Sequence, residues 1–463
     1  MLNEPFRRQP SSFRDPSGFL FWNNGVLYRQ INSVYKDEYD FLISSGLYDH
    51  LLNSNLIIPH VESDSLAHNP KTMYKIIQPE IIPFISYPYE WSFTQLKQAA
   101  LCTLEIQKIA MNFNMTLKDS SAYNIQFKNC KPILIDTLSF EKYHEGQPWS
   151  AYKQFCQHFL APLALMSKKD IRLSQLLRIY IDGIPLDLAD ELLPTRALSS
   201  FSLISHIHFH AKSQKHYENK NAKVKERKVS RRSMTGIIES LISGIKKLNW
   251  TPEGTEWANY YDDINYSHKG FEHKKQIVST IIEKIKPKFL WDLGANMGEF
   301  SRITSDKKIE TIAFDVDPSA VEKNFLECIK KNETKILPLL LDLTNPSPSI
   351  GWNNVERHSL IERGPVDTVM ALALIHHLTI SNNLPLNKVS EFFEKICHHL
   401  IIEFIPKTDS QVKRLLLNRE DIFPNYNQEN FEKEFSNNFK IIESFNIQES
   451  ERVIYHMEKL SIT

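Results

Sequence analysis

Glycine is scarce in this chain, with 13 among 463 residues. A glycine at a turn therefore marks a local backbone requirement more sharply than usual. The five cysteines, Cys102, Cys130, Cys156, Cys328 and Cys397, are odd in number and far apart. No CxxC pair or Cys/His cluster occurs, so neither a structural metal site nor a disulfide framework is expected, only reduced thiols. An excess of one charge is also missing. Lys and Arg total 55 and so do Asp and Glu, leaving a formal net charge of zero and no global field for nucleic acid or anionic lipid. No stretch approaches the ~18–20 uninterrupted apolar residues of a membrane span. The start, Met1-Leu-Asn-Glu-Pro-Phe-Arg-Arg8, lacks the apolar segment of a secretory signal. These absences describe a soluble cytoplasmic protein with no membrane partner.

What is present is enough apolar side chain, 42%, for two cores. Residues 1–200 read as an α+β domain. Gly18 to Ile31 has two short strands around an Asn-Gly turn, Lys36 to Asn53 has helical spacing, and Leu56-Ile-Ile-Pro and Met73-Tyr-Lys-Ile-Ile suit further strands. Phe93–Asn112 reads as one long helix, and Ala151–Leu193 as a helical region. Residues 201–250 read as a helical, basic linker. Within 212–232 nine Lys and Arg face only Glu218 and Glu226. Such a run is a solvated connector first and an RNA-binding stretch second.

From residue 251 to 463, strands and helices alternate. Phe289–Leu293, Thr311–Asp315, Ile336–Leu341, Val366–Leu372 and His398–Phe404 read as strands, and Pro318–Lys330 as a helix. A final pair, Lys440–Asn446 and Arg452–Glu458, suits a hairpin. This alternation implies an α/β fold with a largely parallel sheet covered by helices. Ligands of such sheets bind beyond the carboxyl ends of the strands. Asp292-Leu-Gly294-Ala295-Asn296-Met-Gly298 lies at such an end. A dinucleotide site wants G-x-G-x-x-G, yet Asn296 and Glu299 stand where two of the glycines belong. A pyrophosphate would also meet Asp292 and Glu299. A cofactor that carries a sulfonium and an ammonium, and no phosphate, suits this acidic loop better.

This stretch resembles the first motif of class I S-adenosylmethionine-dependent methyltransferases, with Asn296 in place of a common middle glycine. The resemblance continues in chain order. Phe314-Asp315-Val-Asp317 looks like the second motif, which implies that Asp315 holds the ribose hydroxyls. Leu341-Asp342-Leu343 is similar to the third, where an acid faces the adenine amine. Ala371-Leu-Ala373-Leu-Ile-His376-His377 resembles the fourth, beside the reacting methyl. The resemblance implies a Rossmann-like, seven-stranded domain that binds S-adenosylmethionine. His376 and His377 are its candidate catalytic residues. Imidazole can take a proton near neutral pH, which slightly favours a hydroxyl acceptor. Packing is the competing role for both. No Asn-Pro-Pro-Tyr, Asp-Pro-Pro-Tyr or Pro-Cys motif occurs, which weighs against nucleobase chemistry. Glu256 to Lys269 suits a lid, and Glu403 to Asp409 a border of the acceptor pocket. The acceptor itself stays open between sugar, metabolite, protein and RNA.

In the N-terminal half, Asp119-Ser-Ser-Ala-Tyr-Asn124 and Pro132-Ile-Leu-Ile-Asp136 resemble the core of protein-kinase-like phosphotransferases. That resemblance implies a base at Asp119 and magnesium ligands at Asn124 and Asp136. The sequence departs from it in lacking a glycine-rich phosphate loop, a His-Arg before Asp119 and a Phe-Gly after Asp136. Arg29 and Lys36 are the candidates for a phosphate-facing cation. The alternatives are therefore a phosphotransferase, or a non-catalytic kinase-like module that recognises substrate, fused to a methyltransferase. Across nearly its whole length, through stretches such as Leu117–Phe127 and Leu134–Phe140, the chain also resembles bacterial nodulation-type methyltransferase proteins.

Overall fold

The computed structural model describes residues 6–195, 201–209, 228–253, 266–417 and 419–461. The basic stretch 212–232 lies outside the described residues as far as residue 227, and the suggested lid from Glu256 lies outside them as far as residue 265. The chain divides into two compact units. The first comprises Met1–Thr251 with Ser349–Arg357, and the second Pro252–Pro348 with His358–Thr463. No described helix is long and apolar enough to cross a membrane.

The first unit opens with five antiparallel strands, β1 (Phe6–Arg8), β2 (Gly18–Asn23), β3 (Val26–Asn32), β4 (His60–Ser63) and β5 (Met73–Pro79), in the order β1-β2-β3-β5-β4. The Asn24-Gly25 turn joins β2 to β3, with both residues at positive φ, as a tight hairpin requires. The helical stretch after Lys36 is broken at Gly46, whose φ of +82° no ordinary helix tolerates, giving Lys36–Ser44 and Leu47–Asn53. Leu56-Ile-Ile-Pro is not a strand; Ile57 makes only an isolated bridge to Leu134. Phe93–Asn112 is one helix, started by Ser92 and Gln95 capping each other's backbone N–H. Strands β6 (Met115–Leu117) and β9 (Phe140–Lys142) pair with each other, as do β7 (Ile125–Lys128) and β8 (Lys131–Leu134).

Where it is described, the 201–250 stretch does not stand apart as a linker. Its helix Arg231–Lys247 is amphipathic, buries Met234, Ile238, Leu241 and Ile245, and packs on Phe93–Asn112 within the first unit. Ser349–Arg357 also belongs to this unit. Glu356 accepts a bidentate ion pair from Arg14 at 2.7–3.0 Å, and the Arg357 guanidinium lies 4.0 Å above the Tyr123 ring.

The second unit is built on β10 (Phe289–Leu293), β11 (Glu310–Asp315), β12 (Ile336–Leu340), β13 (Val366–Ala371), β14 (Cys397–Phe404), β15 (Phe439–Asn446) and β16 (Val453–Lys459). Their order is β12-β11-β10-β13-β14-β16-β15. The first five are parallel, and β16 enters antiparallel between β14 and β15. Counted within the unit this is 3-2-1-4-5-7-6, the Rossmann-like order with a terminal hairpin in place of the sixth parallel strand. The central strands read as near-continuous apolar runs because both their faces are covered. Leu290, Met370, Ile401 and Ile454 meet Ile277, Val278, Ile281 and Ile282 of the helix His268–Ile285. Trp291, on the opposite face of β10, packs edge-on against Phe314. Each such fully buried aliphatic contributes roughly 1.5–3 kcal/mol. Together they hold the strand ends, and the loops that leave them, in fixed places.

Candidate active site

The loop after β10 is shaped by backbone requirements. Gly294 has φ +77° and Gly298 φ +79°, values that suit glycine. Asn296, the departure from a glycine pattern, sits at φ +49°. Asparagine is the side-chain-bearing residue that best tolerates this left-handed region, so the substitution keeps the loop's path. The N–H groups of Gly294 and Ala295 both donate to the Phe314 carbonyl at 2.9 Å, tying the loop to the end of β11. Gly298 precedes the helix Glu299–Ser305 and has no room for a side chain. A Cβ there would lie 2.6 and 2.7 Å from the Asn324 amide and 2.9 Å from Arg302 Nη1. Gly298→Ala is therefore expected to destabilise the fold by about 2–3 kcal/mol, through strain and overpacking together. A thermal midpoint equal to that of the parent protein would contradict this.

A cavity of about 390 Å³ opens at the carboxyl ends of β10, β11, β12 and β13, within the usual range for small-molecule sites. Asp292, Gly294, Ala295, Asn296, Asp315, Asp342, Leu343, Ala373 and His377 all line it. Gly298 and His376 do not. The three acids differ in environment. Asp292 is buried in β10 and accepts from the Ser301 hydroxyl at 2.6 Å. Burial, with the nearby Asp315 charge adding, pushes its carboxyl up to about 7 against the pull of Ser301 and Lys274. Asp315 is equally enclosed and is raised to about 6, mainly by burial. One of its oxygens accepts the Asn296 N–H at 2.8 Å and the other the Asp317 N–H at 2.9 Å. It thus braces the glycine loop while lining the cavity, a role the motif resemblance alone did not suggest. Asp342 is exposed and accepts from the backbone and hydroxyl of Thr344.

The two histidines differ in position. Their rings lie 4.1 Å apart. His377 opens the π-helical turn His377–Ser381, is partly exposed and faces the cavity. Burial, with Arg452 adding, pushes it down to about 4, so it is neutral at physiological pH. His376 is buried behind it and held well below its ordinary value by burial and its neighbour.

Beneath the cavity lies a buried charged network that the motif reading missed. Glu403, a fully enclosed residue of β14, accepts from Lys274 Nζ at 2.7 Å, from the Ala373 N–H at 2.7 Å and from the Tyr266 hydroxyl. Arg452 donates to the Tyr266 hydroxyl at 2.6 Å and to Asp409 at 2.7 Å. Burial alone would raise Glu403; Lys274 and Arg452 outweigh it and hold the carboxyl below its ordinary value. Ala373 is at φ +50°, and its N–H bond to Glu403 holds that strained turn beside the cavity. Contrary to the expectation that it borders the acceptor pocket, Glu403 does not line the cavity; it supports the residues that do. Tyr266, from the described end of the suggested lid, lines the cavity.

In the first unit Asp119, Asn124 and Asp136 do converge. Asp119 accepts the Ser121 N–H at 2.9 Å and the Asn124 side chain. The Asn124 amide donates to the Ser139 hydroxyl, which donates to Asp136 at 2.8 Å. Burial and the Asp136 charge raise the Asp119 carboxyl. Asp136 is already paired with Arg29 at 2.5 Å; this cation, with Ser139, outweighs burial and keeps its carboxyl low. Lys36 is engaged with Asp40 on the surface. The tight Asn24-Gly25 turn is too short to cover phosphates. Phosphoryl transfer is not favoured by this arrangement.

No protein-family model matches the chain. Among solved structures, it is similar to the PH0226 protein of Pyrococcus horikoshii OT3, at 12% identity and TM-score 0.33, over 45% of this chain and 100% of that one. It is similar to the magnesium protoporphyrin IX methyltransferase ChlM of Synechocystis PCC 6803 with bound SAH, at 15% identity and TM-score 0.31, over 44% and 93%. It is also similar to the N-methyltransferase NodS of Bradyrhizobium japonicum WM9, at 9% identity and TM-score 0.30, over 42% and 99%. The class I methyltransferase fold of the second unit is carried by its own sheet order and glycine loop. Over the whole chain the match is to the nodulation protein NoeA of Rhizobium meliloti (strain 1021). It is 34% identical across 98% of this chain and 96% of that protein. The chain therefore belongs to the family of the nodulation protein NoeA.

Proposed function

We propose that the second unit binds S-adenosylmethionine in the acid-lined cavity and transfers its methyl group to a hydroxyl of an acceptor. The observation that supports this most is the set Asp292, Asp315 and Asp342 at the ends of three adjacent strands around one cavity. An anionic dinucleotide would be repelled there, whereas a cationic adenosyl compound with ribose hydroxyls finds acceptors. Bound there, the cofactor supplies an electrophilic methyl on a sulfonium. Asp315 and Asp342 hold its nucleoside half, and Asp292 offsets its positive charge. His377, neutral and facing the same cavity, accepts the proton that the acceptor hydroxyl loses. Leu374 and Leu378 beside it exclude water.

The pH dependence follows from the raised carboxyls. Asp292 and Asp315 titrate near 7 and 6, above their ordinary value, so the cofactor-free fold keeps protons that the unfolded chain releases. These two carboxyls therefore contribute most to the stability of the free protein at low pH, and that contribution is lost as pH rises through these values. A cationic ligand needs the ionised form. Its dissociation constant is expected to rise roughly tenfold per pH unit below about 7 through Asp292, and more steeply below about 6, where Asp315 must also give up its proton. Calorimetry across that range checks it; a pH-independent constant would contradict it.

The reaction itself is tested with a ¹³C-methyl donor and fractionated cell extract. A product whose new methyl carbon resonates as an O-methyl supports the reading. Label appearing solely on nitrogen or carbon overturns the hydroxyl assignment.

A further inference from the structure

Resting on the S-adenosylmethionine reading, we propose that Lys274 is the counter-ion for the α-carboxylate of the cofactor's methionine half. It would thereby make the cavity selective for adenosyl compounds that carry an amino acid. The three acids that line the cavity can answer an ammonium and ribose hydroxyls. They cannot answer a carboxylate, which they repel. Among the described residues lining the cavity, Lys274 is the one cationic side chain, His377 being neutral.

The geometry presents this cation to the cavity. The Lys274 ammonium lies 4.9 Å from the centre of the Tyr266 ring and 4.8 Å from that of Phe300, and both rings line the cavity. An ammonium has three N–H donors. One reaches Glu403 at 2.7 Å and a second the Tyr266 hydroxyl at 3.2 Å. Among the described residues the third has no protein acceptor. The surroundings are saturated by contrast. The Tyr266 hydroxyl donates to Glu403 and accepts from Lys274 and Arg452, which uses all its capacity. Glu403 already accepts from Lys274, Tyr266 and the Ala373 N–H. Arg452 is committed to Asp409 and Tyr266. The network therefore fixes the ammonium and leaves one of its donors toward the ligand.

Stability does not explain a lysine here. Its side chain is 3% exposed on a helix face shared with Ile277, Val278 and Ile281, where an apolar residue, with an apolar partner in place of Glu403, would pack at no greater cost. Replacing a buried ion pair by apolar groups is often neutral or stabilising. A ligand carboxylate gives the buried charge a use.

The test compares S-adenosylmethionine with its decarboxylated analogue, which keeps the adenosyl group, sulfonium and amine and lacks the carboxylate. Calorimetry on the full chain is expected to show the parent compound binding about 10- to 100-fold more tightly, the span of one charge-assisted hydrogen bond. In Lys274→Met this preference collapses to within about threefold. Lys274→Met combined with Glu403→Gln removes both charges of the pair, so no carboxylate is left buried and unpaired, and it is expected to give the same collapse. Retention of the parental preference in both variants, or no preference in the parent protein, overturns the Lys274 assignment alone. Binding of neither compound to the parent protein overturns the cofactor reading and this inference together.

Discussion

Asp315→Ala is expected to weaken S-adenosylmethionine binding by about 100-fold or more, because two losses coincide at one carboxylate. The ribose loses its acceptor. The loop loses its brace, since the Asn296 and Asp317 N–H groups both end on Asp315. An N–H left buried without a partner costs about 1–3 kcal/mol, which loosens the path that brings Ala295 and Asn296 to the cavity. Asp315→Asn keeps one of the two acceptors and is expected to fall between parent and alanine. Circular dichroism and the thermal midpoint separate a loosened loop from an unfolded unit. Unchanged affinity in a folded Asp315→Ala protein would remove Asp315 from the site.

The second large effect belongs to His377. His377→Ala is expected to lower kcat by about 10²–10⁴, the usual yield of a positioned general base, with the cofactor's dissociation constant nearly unchanged. Because burial pushes His377 down to about 4, kcat should stay flat across neutral pH while cofactor affinity falls on acidification. His376→Ala is expected to do the opposite, lowering the thermal midpoint through a cavity behind the site and leaving kcat close to that of the parent protein. Full kcat in His377→Ala would assign the proton to another group.

The two units were unequally legible from the residues. In the second, periodicity located each strand to within about two residues, because a buried parallel strand is a short apolar run between breakers. The glycine loop was legible too, and the structure adds why Asn296 is tolerated: it stands at positive φ. The charged network was not read, although it left a signal. Lys274 falls in register with Ile277, Val278 and Ile281 on an otherwise apolar face, and Glu403 interrupts the apolar run from Leu400 to Ile405. A charge in the middle of an apolar pattern points to a buried partner, but sequence cannot say which one, since Glu403 lies 129 residues beyond Lys274. In the first unit the kinase-like resemblance of Asp119, Asn124 and Asp136 implied a shared site, and the three side chains do converge. The Arg29 pair on Asp136 depends on sheet register, which spacing does not carry. The stretch 201–250 misled because its charge run masked the apolar face of Arg231–Lys247.

The central claim is that the acid-lined cavity receives a cationic adenosyl cofactor and not an anionic dinucleotide. Calorimetry of the full chain at mildly alkaline pH, with S-adenosylmethionine and NAD titrated in parallel, tests it directly. Saturable one-to-one binding of S-adenosylmethionine and no heat from NAD are expected. Binding of NAD, or no binding of S-adenosylmethionine, would contradict it.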